Sequence, residues 1–248
     1  MQRRDALRTV TALTLGAVAG CEPAPRSPAP ATEPSGSPTI GPAGPPAPAL
    51  PAEVRHGPRD RPQVALTFHG QGDPRLITDL LDELKRGGAR VTVLAVGTWL
   101  ASNLALGRRV LADGHELGNH TQHHGDIKNM KPTLAYAEIV ACAQAIHAVA
   151  GSPGRWFRPS QTQFATAMIK AAARKAGYPT CLSYDVDPRD FTDPGSPAIV
   201  SATLAAVRPG SIVSLHCGHQ GTVAAIAPVL AGLRARGLRP VTASELFA

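Results

Sequence analysis

The sequence predicts one α/β domain built as a distorted seven-stranded (β/α) barrel, preceded by a disordered tether. From residue 63 onward, short apolar runs alternate with longer stretches of helical spacing, which is typical of parallel strands joined by crossover helices. The runs are almost continuously apolar, so helices are expected to cover both faces of the sheet. Histidine, arginine and aspartate follow the ends of different runs, and such residues converge when parallel strands curl into a barrel.

The predicted elements follow the chain in simple alternation. The strands are expected at residues 64–68, 91–96, 116–119, 156–158, 181–186, 212–216 and 238–242. The helices are expected at residues 76–86, 100–112, 134–149, 165–176, 198–207 and 223–236. An open doubly wound sheet would share this alternation, but it would gather the polar residues at one crevice instead of around a ring.

The distribution of proline divides the chain into a proline-rich segment and a folded domain. Of its 24 prolines, 13 lie between residues 22 and 62, where aromatic and branched apolar residues are almost absent. Such a stretch cannot bury enough surface to offset its ordering entropy, so we expect residues 22–62 to be a disordered linker. The remainder, residues 63–248, is long enough for one sizeable core, and a single domain is expected there.

The first 21 residues have the features of an export signal. A basic start with Arg3, Arg4 and Arg8 precedes an apolar run at 10–19, and small residues lead to Cys21. The tetrapeptide that ends in Cys21 resembles a bacterial lipobox, and the paired arginines resemble a twin-arginine signal. We therefore expect an exported protein, lipid-anchored through Cys21 on the outer face of the cell membrane. An ordinary short signal or a buried N-terminal helix is the alternative.

Charge and cysteine content restrict the partners. The formal net charge is +7, but lysine and arginine are scattered singly, without the basic stripe and interleaved aromatics of a nucleic-acid surface. We expect no nucleic-acid partner, and nothing predicts a protein partner. Besides Cys21, the cysteines are Cys142, Cys181 and Cys217, an odd number without CxxC spacing. A disulfide framework is not expected, and the sequence does not select a pair for a single bridge.

The sharpest local motif is residues 120–124, which read His-Thr-Gln-His-His. His120 and His124 are four residues apart, so both imidazoles can meet one metal ion if the backbone turns between them. Taken alone, the motif is also compatible with a histidine-rich polar loop that binds nothing.

Five segments in a fixed order carry a resemblance to a known family. They are Val-Ala-Leu-Thr-Phe at 64–68, Gly-Asn-His-Thr-Gln-His-His at 118–124, Phe-Arg-Pro at 157–159, Asp-Pro-Arg-Asp-Phe at 187–191 and Ser-Ile-Val-Ser-Leu-His at 211–216. In this order they resemble the motifs of polysaccharide deacetylases with a NodB-homology domain, carbohydrate esterase family 4. The resemblance implies a distorted β/α barrel that removes N-acetyl groups from glycans such as peptidoglycan, with metal-assisted hydrolysis as the chemistry.

The resemblance also implies roles for individual residues. His120 and His124 match the two histidines that hold a divalent metal, for which we expect zinc. His216 matches the general acid, and Asp190 matches the carboxylate that holds it. Arg158 matches the arginine that pairs with the catalytic base.

Three further positions are expected to contact substrate. Phe191 takes the place of the aromatic residue beside the acetyl pocket. Gln161 takes the place of a tyrosine whose backbone N–H holds the oxyanion. Ser214 replaces an apolar residue of the acyl pocket, which implies a more polar pocket. Cys217 beside His216 lacks the supporting pattern of a cysteine hydrolase.

The first family motif is broken. The family reads Thr-Phe-Asp-Asp-Gly-Pro, whereas this chain reads Thr-Phe-His-Gly-Gln-Gly before Asp73, with no gap in the alignment. The base aspartate of the family is therefore His69 here, and the metal-binding aspartate is Gly70. Both carboxylates are missing, which leaves three interpretations open.

In the preferred interpretation, His69 joins His120 and His124 as a third metal ligand and is also a catalytic residue, at the position of the family's base. Three imidazoles with one open position are typical of catalytic zinc sites. The positive charge of Arg158 nearby would keep the His69 ring neutral. We therefore expect a metal-dependent hydrolase that removes acyl groups from a cell-envelope or extracellular glycan.

Two other interpretations remain. In the second, two histidines and a carboxylate such as Asp73 or Asp126 hold the metal weakly, and His69 is the general base. In the third, the protein is a catalytically inactive glycan-binding lipoprotein of the same fold. A structural spacer in which the histidines meet by accident is a further alternative.

Overall fold

The computed structural model describes residues 49–248. The predicted signal at residues 1–21, the lipidation site Cys21 and the linker up to residue 48 lie outside the described residues.

The strands form a closed ring of parallel neighbours. They are β1 (Glu53–Val54), β2 (Gln63–Gly70), β3 (Thr92–Ala95), β4 (Glu116–Asn119), β5 (Cys181–Leu182), β6 (Ile212–His216) and β7 (Arg239–Val241). Strands β4, β3, β2 and β6 are neighbours in that order, and β7 pairs with the first residues of β2. Single-residue bridges complete the ring, because Phe157 pairs with Asn119 and Cys181, and Val186 pairs with Val213. The predicted distorted (β/α) barrel is confirmed.

Helices surround this ring. They are α1 (Pro74–Arg86), α2 (Gly97–Ser102), α3 (Leu104–Ala112), α4 (Pro132–Ala150), α5 (Ala167–Lys175), α6 (Ser196–Ala206), α7 (Gln220–Ala235) and α8 (Ala243–Leu246). Residues 64–68 of β2 are completely buried, which is the double coverage that their continuous apolar character predicts.

Three predicted elements differ in the structure. The strand expected at 181–186 is shortened to β5, with a separate bridge at Val186. The helix expected at 100–112 is divided at Asn103, whose side-chain amide donates a hydrogen bond to the Trp99 carbonyl and competes with the helical backbone pattern. The strand expected at 156–158 is reduced to the bridge at Phe157. Pro159 has no backbone N–H for a longer ladder, which ends the pairing there.

The folded domain begins earlier than predicted. Residues 49–62 belong to the barrel, because β1 pairs in parallel with β5, and Val54 is buried beside Trp156 and Leu246. The prediction that the linker extends to residue 62 is therefore wrong. A strand of two residues with one apolar side chain leaves no recognisable pattern in a proline-rich sequence. It forms by pairing with β5, which lies far away in the sequence.

Helix α4 is long and apolar enough, by length and composition alone, to cross a membrane. Its buried residues are Ala135, Ile139, Cys142 and Ile146, spaced by three or four positions. This spacing places one face of the helix against the domain, as in the outer helices of a barrel.

Candidate active site

A cleft lies at the carboxyl ends of the barrel strands. Its volume is about 450 Å³, and its walls include five of the predicted site residues: His69, His124, Gln161, Phe191 and His216. His69 lies near the end of β2 and His216 ends β6, and paired register places these two residues side by side. Histidines from distant parts of the chain therefore share one pocket, which argues against the accidental cluster of a structural spacer.

Three histidines form a group of metal-ligand type. His69, His120 and His124 each place one ring nitrogen within 4.8 Å of the others. Within residues 49–248, these three histidines form the group of potential metal ligands that could hold an ion. The carboxylates of the second interpretation lie elsewhere. Asp73 caps helix α1 by accepting from the Arg75 N–H, and Asp126 accepts from the Asn129 side chain. Neither Asp73 nor Asp126 belongs to the histidine group.

His120 fits a metal ion best. It follows β4 and is 1% exposed, and its Nδ1–H donates to the carbonyl of Arg158 at 2.9 Å. The Nε2 atom is buried without a hydrogen-bond partner among the described residues. A buried polar atom without a partner is costly, and a lone pair aimed at a metal removes that cost. The imidazole set suits zinc.

The backbone between His120 and His124 makes the turn that their spacing required. Thr121 and His124 both have positive φ, 67° and 57°, in the left-handed region that non-glycine residues rarely adopt. The Thr121 hydroxyl accepts a hydrogen bond from the His124 N–H. The ring centroids of His120 and His124 are consequently 4.8 Å apart.

All three histidines are kept neutral. Burial is the main reason why the pKa values of His69 and His120 lie well below the usual value, and it also lowers the pKa of His124. The neighbouring histidines and Arg158 lower the pKa of His69 further. The expected effect of Arg158 is therefore present, although it is smaller than the effect of burial. Neutral rings are the form that binds a metal.

Arg158 is fully buried beneath His69. Its Nε donates to the carbonyl of Leu182 at 2.8 Å, Nη2 donates to the carbonyl of Ser183 at 3.3 Å, and Nη1 donates to Nε2 of His69 at 3.3 Å. Among residues 49–248, it has no carboxylate partner in a salt bridge. Burial lowers its pKa to about 9, so the guanidinium stays charged at neutral pH. With histidine at position 69, no carboxylate forms an ion pair with this buried cation among the described residues, and Asp187 attracts it without direct contact.

Restoring a carboxylate at position 69 is expected to stabilise the domain. His69→Asp would place an anion beside the Arg158 guanidinium, and a hydrogen bond to a charged group contributes about 1.5–3 kcal/mol. The matched variant is His69→Asn, which has the same size without the charge. Calorimetry should give a Tm several degrees higher for the aspartate variant. Equal Tm values for the two variants would show that the buried Arg158 guanidinium gains nothing from an adjacent carboxylate.

Gly70 has no space for a side chain. A Cβ atom there would lie 2.7 Å from Cγ1 of Val93 and 3.0 Å from Cα of Ala95, on the neighbouring strand β3. A side chain at this position, such as the aspartate that the family has, would require Val93 or the backbone of β3 to shift.

Gly70→Ala is expected to destabilise the domain by about 1–3 kcal/mol, because the added methyl group overpacks the β2–β3 contact. Gly125→Ala is a suitable control, since its Cβ would meet only the flexible end of Met130. Urea unfolding of both variants measures the difference. A Gly70→Ala variant as stable as the control would show that β3 yields easily.

His216 and Asp190 form a dyad in which the aspartate is fully buried and the histidine side chain, 21% exposed, faces the cleft. Nδ1–H of His216 donates to one carboxylate oxygen of Asp190 at 2.7 Å. The other oxygen accepts from the His216 backbone N–H at 2.8 Å and from the Thr222 hydroxyl at 2.6 Å. Asp190 is fully buried in a short 3₁₀ turn at Asp190–Thr192. These bonds leave Nε2 of His216 as the nitrogen available for proton transfer.

Of the three predicted substrate residues, Phe191 and Gln161 line the cleft, whereas Ser214 does not. Phe191 is 44% exposed and its ring centroid lies 5.2 Å from that of His216, on the cleft wall. Gln161 also lines the cleft, and its side chain donates to the carbonyl of His124. Ser214 is 1% exposed and lies beneath the cleft, with Oγ 3.5 Å from Nε2 of His69. This position differs from the predicted place in the acyl pocket.

Sequence reasoning missed a second histidine–aspartate pair. Nδ1–H of His219 donates to Asp193 at 2.8 Å, and the His219 ring lies 5.9 Å from the His216 ring at the cleft. The signal was available, because His219 follows His216 by three positions and Asp193 follows Asp190 by three. Asp187 and Tyr184 also line the cleft.

The described cysteines, Cys142, Cys181 and Cys217, are all buried free thiols. Burial raises the pKa of Cys142 and of Cys181 to about 12, and it raises the pKa of Cys217 further. A thiol that stays protonated is a poor nucleophile, so Cys217 is not a catalytic candidate.

Comparison with known proteins agrees with this fold. Residues 56–181 match the model of the polysaccharide deacetylase family. The chain is 36% identical over 158 residues to a chitooligosaccharide deacetylase of a Bradyrhizobium species, covering 63% of this chain and 71% of that protein. It is 35% identical over 194 residues to a peptidoglycan-N-acetylglucosamine deacetylase of Bacillus cereus, covering 77% of this chain and 90% of that protein.

Solved structures share the barrel. A family 4 carbohydrate esterase from Streptomyces lividans, in complex with acetate, is 28% identical with a TM-score of 0.67, covering 72% of this chain and 91% of its own. A family 4 pseudoenzyme from Bacillus anthracis is 22% identical with a TM-score of 0.75, covering 80% of this chain and 69% of its own, and supports the fold alone.

Fold and site together define a barrel hydrolase that acts on carbon–nitrogen bonds other than peptide bonds. The chain belongs to the polysaccharide deacetylase family, the NodB-homology group of carbohydrate esterase family 4.

Proposed function

We propose that the protein is a divalent-metal-dependent deacetylase that removes N-acetyl groups from glucosamine units of a cell-envelope glycan. The observation that carries the proposal is the unpartnered, buried Nε2 of His120, within a group of three neutral imidazoles beside the His216–Asp190 dyad. The substrate class rests on the two deacetylases with 36% and 35% identity, which act on chitooligosaccharide and on peptidoglycan.

Each group has a role in this proposal. His120, His124 and His69 would hold the ion, most suitably zinc, which would polarise the amide carbonyl and lower the pKa of a bound water. Nε2 of His216 protonates the leaving amine, while Asp190 holds the other ring nitrogen. Phe191 packs beside the acetyl group at the cleft wall.

The proton of the attacking water needs an acceptor other than an aspartate of the first motif. His216 is the best placed group, because a carboxylate already stabilises the imidazolium that it would become. One histidine then accepts the proton from water and passes it to the amine. The cleft at the carboxyl ends of the strands leaves room for a polymer substrate to reach these atoms.

The test uses purified full-length protein loaded with zinc and N-acetylglucosamine oligomers or peptidoglycan as substrate. Free acetate and new amino groups are measured in parallel, and the expected result is equal amounts of both. Chelation of the metal and His216→Ala should each abolish the release. Metal-loaded protein that releases no acetate from either substrate would contradict the proposal.

A second candidate function is glycan binding without hydrolysis. It is favoured by the absence of both first-motif carboxylates and by the close packing of Gly70 against β3. Oligomer binding measured by calorimetry, without acetate release in the presence of zinc, would support it.

We also propose that the protein is exported and lipid-anchored at Cys21, with the proline-rich segment as a tether. The basic and apolar pattern of the first 21 residues supports this location, as does a substrate in the cell envelope. Cys21→Ser should release the protein from membranes, and its retention there would contradict the anchor.

A further inference from the structure

Nε2 of His69 has two polar neighbours beneath the cleft. Nη1 of Arg158 lies 3.3 Å away and Oγ of Ser214 lies 3.5 Å away, and both residues are buried. The two neighbours differ chemically. A guanidinium only donates hydrogen bonds, whereas a hydroxyl donates or accepts.

The contact with Arg158 fixes the proton of His69. When Arg158 donates to Nε2, this nitrogen carries the lone pair, so the single proton of the neutral ring is on Nδ1. Nδ1 has no hydrogen-bond partner within residues 49–248. A protonated nitrogen cannot ligate a metal, and Nε2 is occupied by Arg158. In this arrangement His69 is a hydrogen-bond donor at the cleft and is not available as a third ligand.

His120 shows the hydrogen bond that a metal-binding histidine needs on its second ring nitrogen. His120 donates its Nδ1–H to the carbonyl of Arg158, which leaves the Nε2 lone pair free. An acceptor on the far nitrogen fixes the tautomer of a ligand in this way. Because Nε2 of His69 already contacts Arg158 and Ser214, Nδ1 is the nitrogen left for a metal ion, and of these two neighbours of Nε2 only Ser214 can accept a hydrogen bond.

We propose that Ser214 is a positioning residue that allows His69 to bind a metal ion. The proton of His69 moves from Nδ1 to Nε2, where it is donated to Oγ of Ser214 while Arg158 gives up its contact. The Nδ1 lone pair is then free, and the number of protons on the ring is unchanged. This inference rests on the metal site of the proposed function.

The placement of Ser214 supports this role. Ser214 and His216 are two residues apart on β6, so their side chains lie on the same face of the strand, with the serine one layer deeper in the barrel. In the register between β2 and β6, Ser214 is opposite Thr67 and His216 is opposite His69. A hydroxyl therefore lies beneath the His69 ring at a position where the related family has an apolar residue.

Zinc affinity of the full-length protein tests the proposal. We compare wild type, Ser214→Ala, His69→Ala and the double variant by competition with a chromophoric chelator. Ser214→Ala should weaken zinc binding about 10–100-fold, as changes of a ligand's partner do. It should have no further effect once His69 is alanine. Thr67→Val is the matched control, because it removes an equally buried hydroxyl that bonds to the carbonyl of Val213.

A second measurement reads the tautomer directly and does not require a substitution. Nitrogen NMR of the imidazole rings should find the His69 proton on Nδ1 without metal and on Nε2 after zinc is added. The same tautomer in both states overturns the proposal.

The outcomes separate this inference from the proposed function. Loss of affinity in His69→Ala but wild-type affinity in Ser214→Ala overturns the role of Ser214 alone. An equal loss from Ser214→Ala in both backgrounds also overturns it. A His69→Ala variant with wild-type affinity overturns the inference and the three-histidine site together, and a wild-type protein that binds no zinc contradicts the metal-dependent function itself.

Discussion

His120→Ala is expected to eliminate stoichiometric zinc binding and, with it, acetate release. His120 is the most deeply buried member of the histidine group, and its free Nε2 has no partner among the described residues. The substitution removes a ligand and not a residue that hydrogen-bonds to a ligand. The loss of zinc affinity should therefore exceed the about 10–100-fold effect of changing such a hydrogen-bonding partner. Metal analysis after gel filtration measures the result.

The sequence provides a matched control three residues away. His123 belongs to the same motif, but its side chain is 65% exposed and Nδ1 pairs with Glu138 at 2.7 Å. His123→Ala should therefore keep full zinc content and activity. If both variants lose zinc equally, the motif acts through loop folding and His120 is not a ligand.

Asp190→Asn is expected to reduce kcat by about 10²–10⁴-fold while zinc content stays unchanged. The carboxylate accepts three hydrogen bonds, two of them from His216. An amide presents an NH₂ group to at least one of these donors, which favours the wrong tautomer of His216 and removes the charge that stabilises its protonated form. The test is steady-state acetate release with metal content measured on the same sample.

Asp193→Asn is the matched control. Asp193 holds His219 in the same manner, at 2.8 Å, but its side chain is 68% exposed and the His219 ring is 5.9 Å from that of His216, outside the three-histidine group. We expect a small change in kcat for this variant. A loss of zinc in Asp190→Asn would mean that the dyad supports the metal site, and equal losses of kcat in both variants would contradict the assignment of His216 as the acid.

Much of the barrel can be predicted because its signals are local. Apolar runs and helical spacing follow from neighbours in the sequence, and six of the seven predicted strand positions are hydrogen-bonded over at least two residues. The failures have non-local causes. Strand β1 depends on β5, more than a hundred residues later, and the interruption at Asn103 depends on one side-chain hydrogen bond.

The candidate site divides in the same way. Motif order predicts which side chains meet, because the carboxyl ends of parallel strands always share one end of a barrel. Contacts that depend on individual atoms are not encoded in any motif. Ser214 was expected at the acyl pocket, and the structure places it under His69 because alternation along β6 points it inward.

By itself, the sequence determined the barrel, the family motifs and the loss of both aspartates at positions 69 and 70. Only the tertiary structure decided what that loss means for the site. It crowds position 70 against β3, leaves Arg158 buried without a carboxylate ion pair, and brings Nη1 of Arg158 to 3.3 Å from Nε2 of His69. The contact between Arg158 and His69 joins residues 89 positions apart in the chain, and such distances are fixed only when the barrel closes.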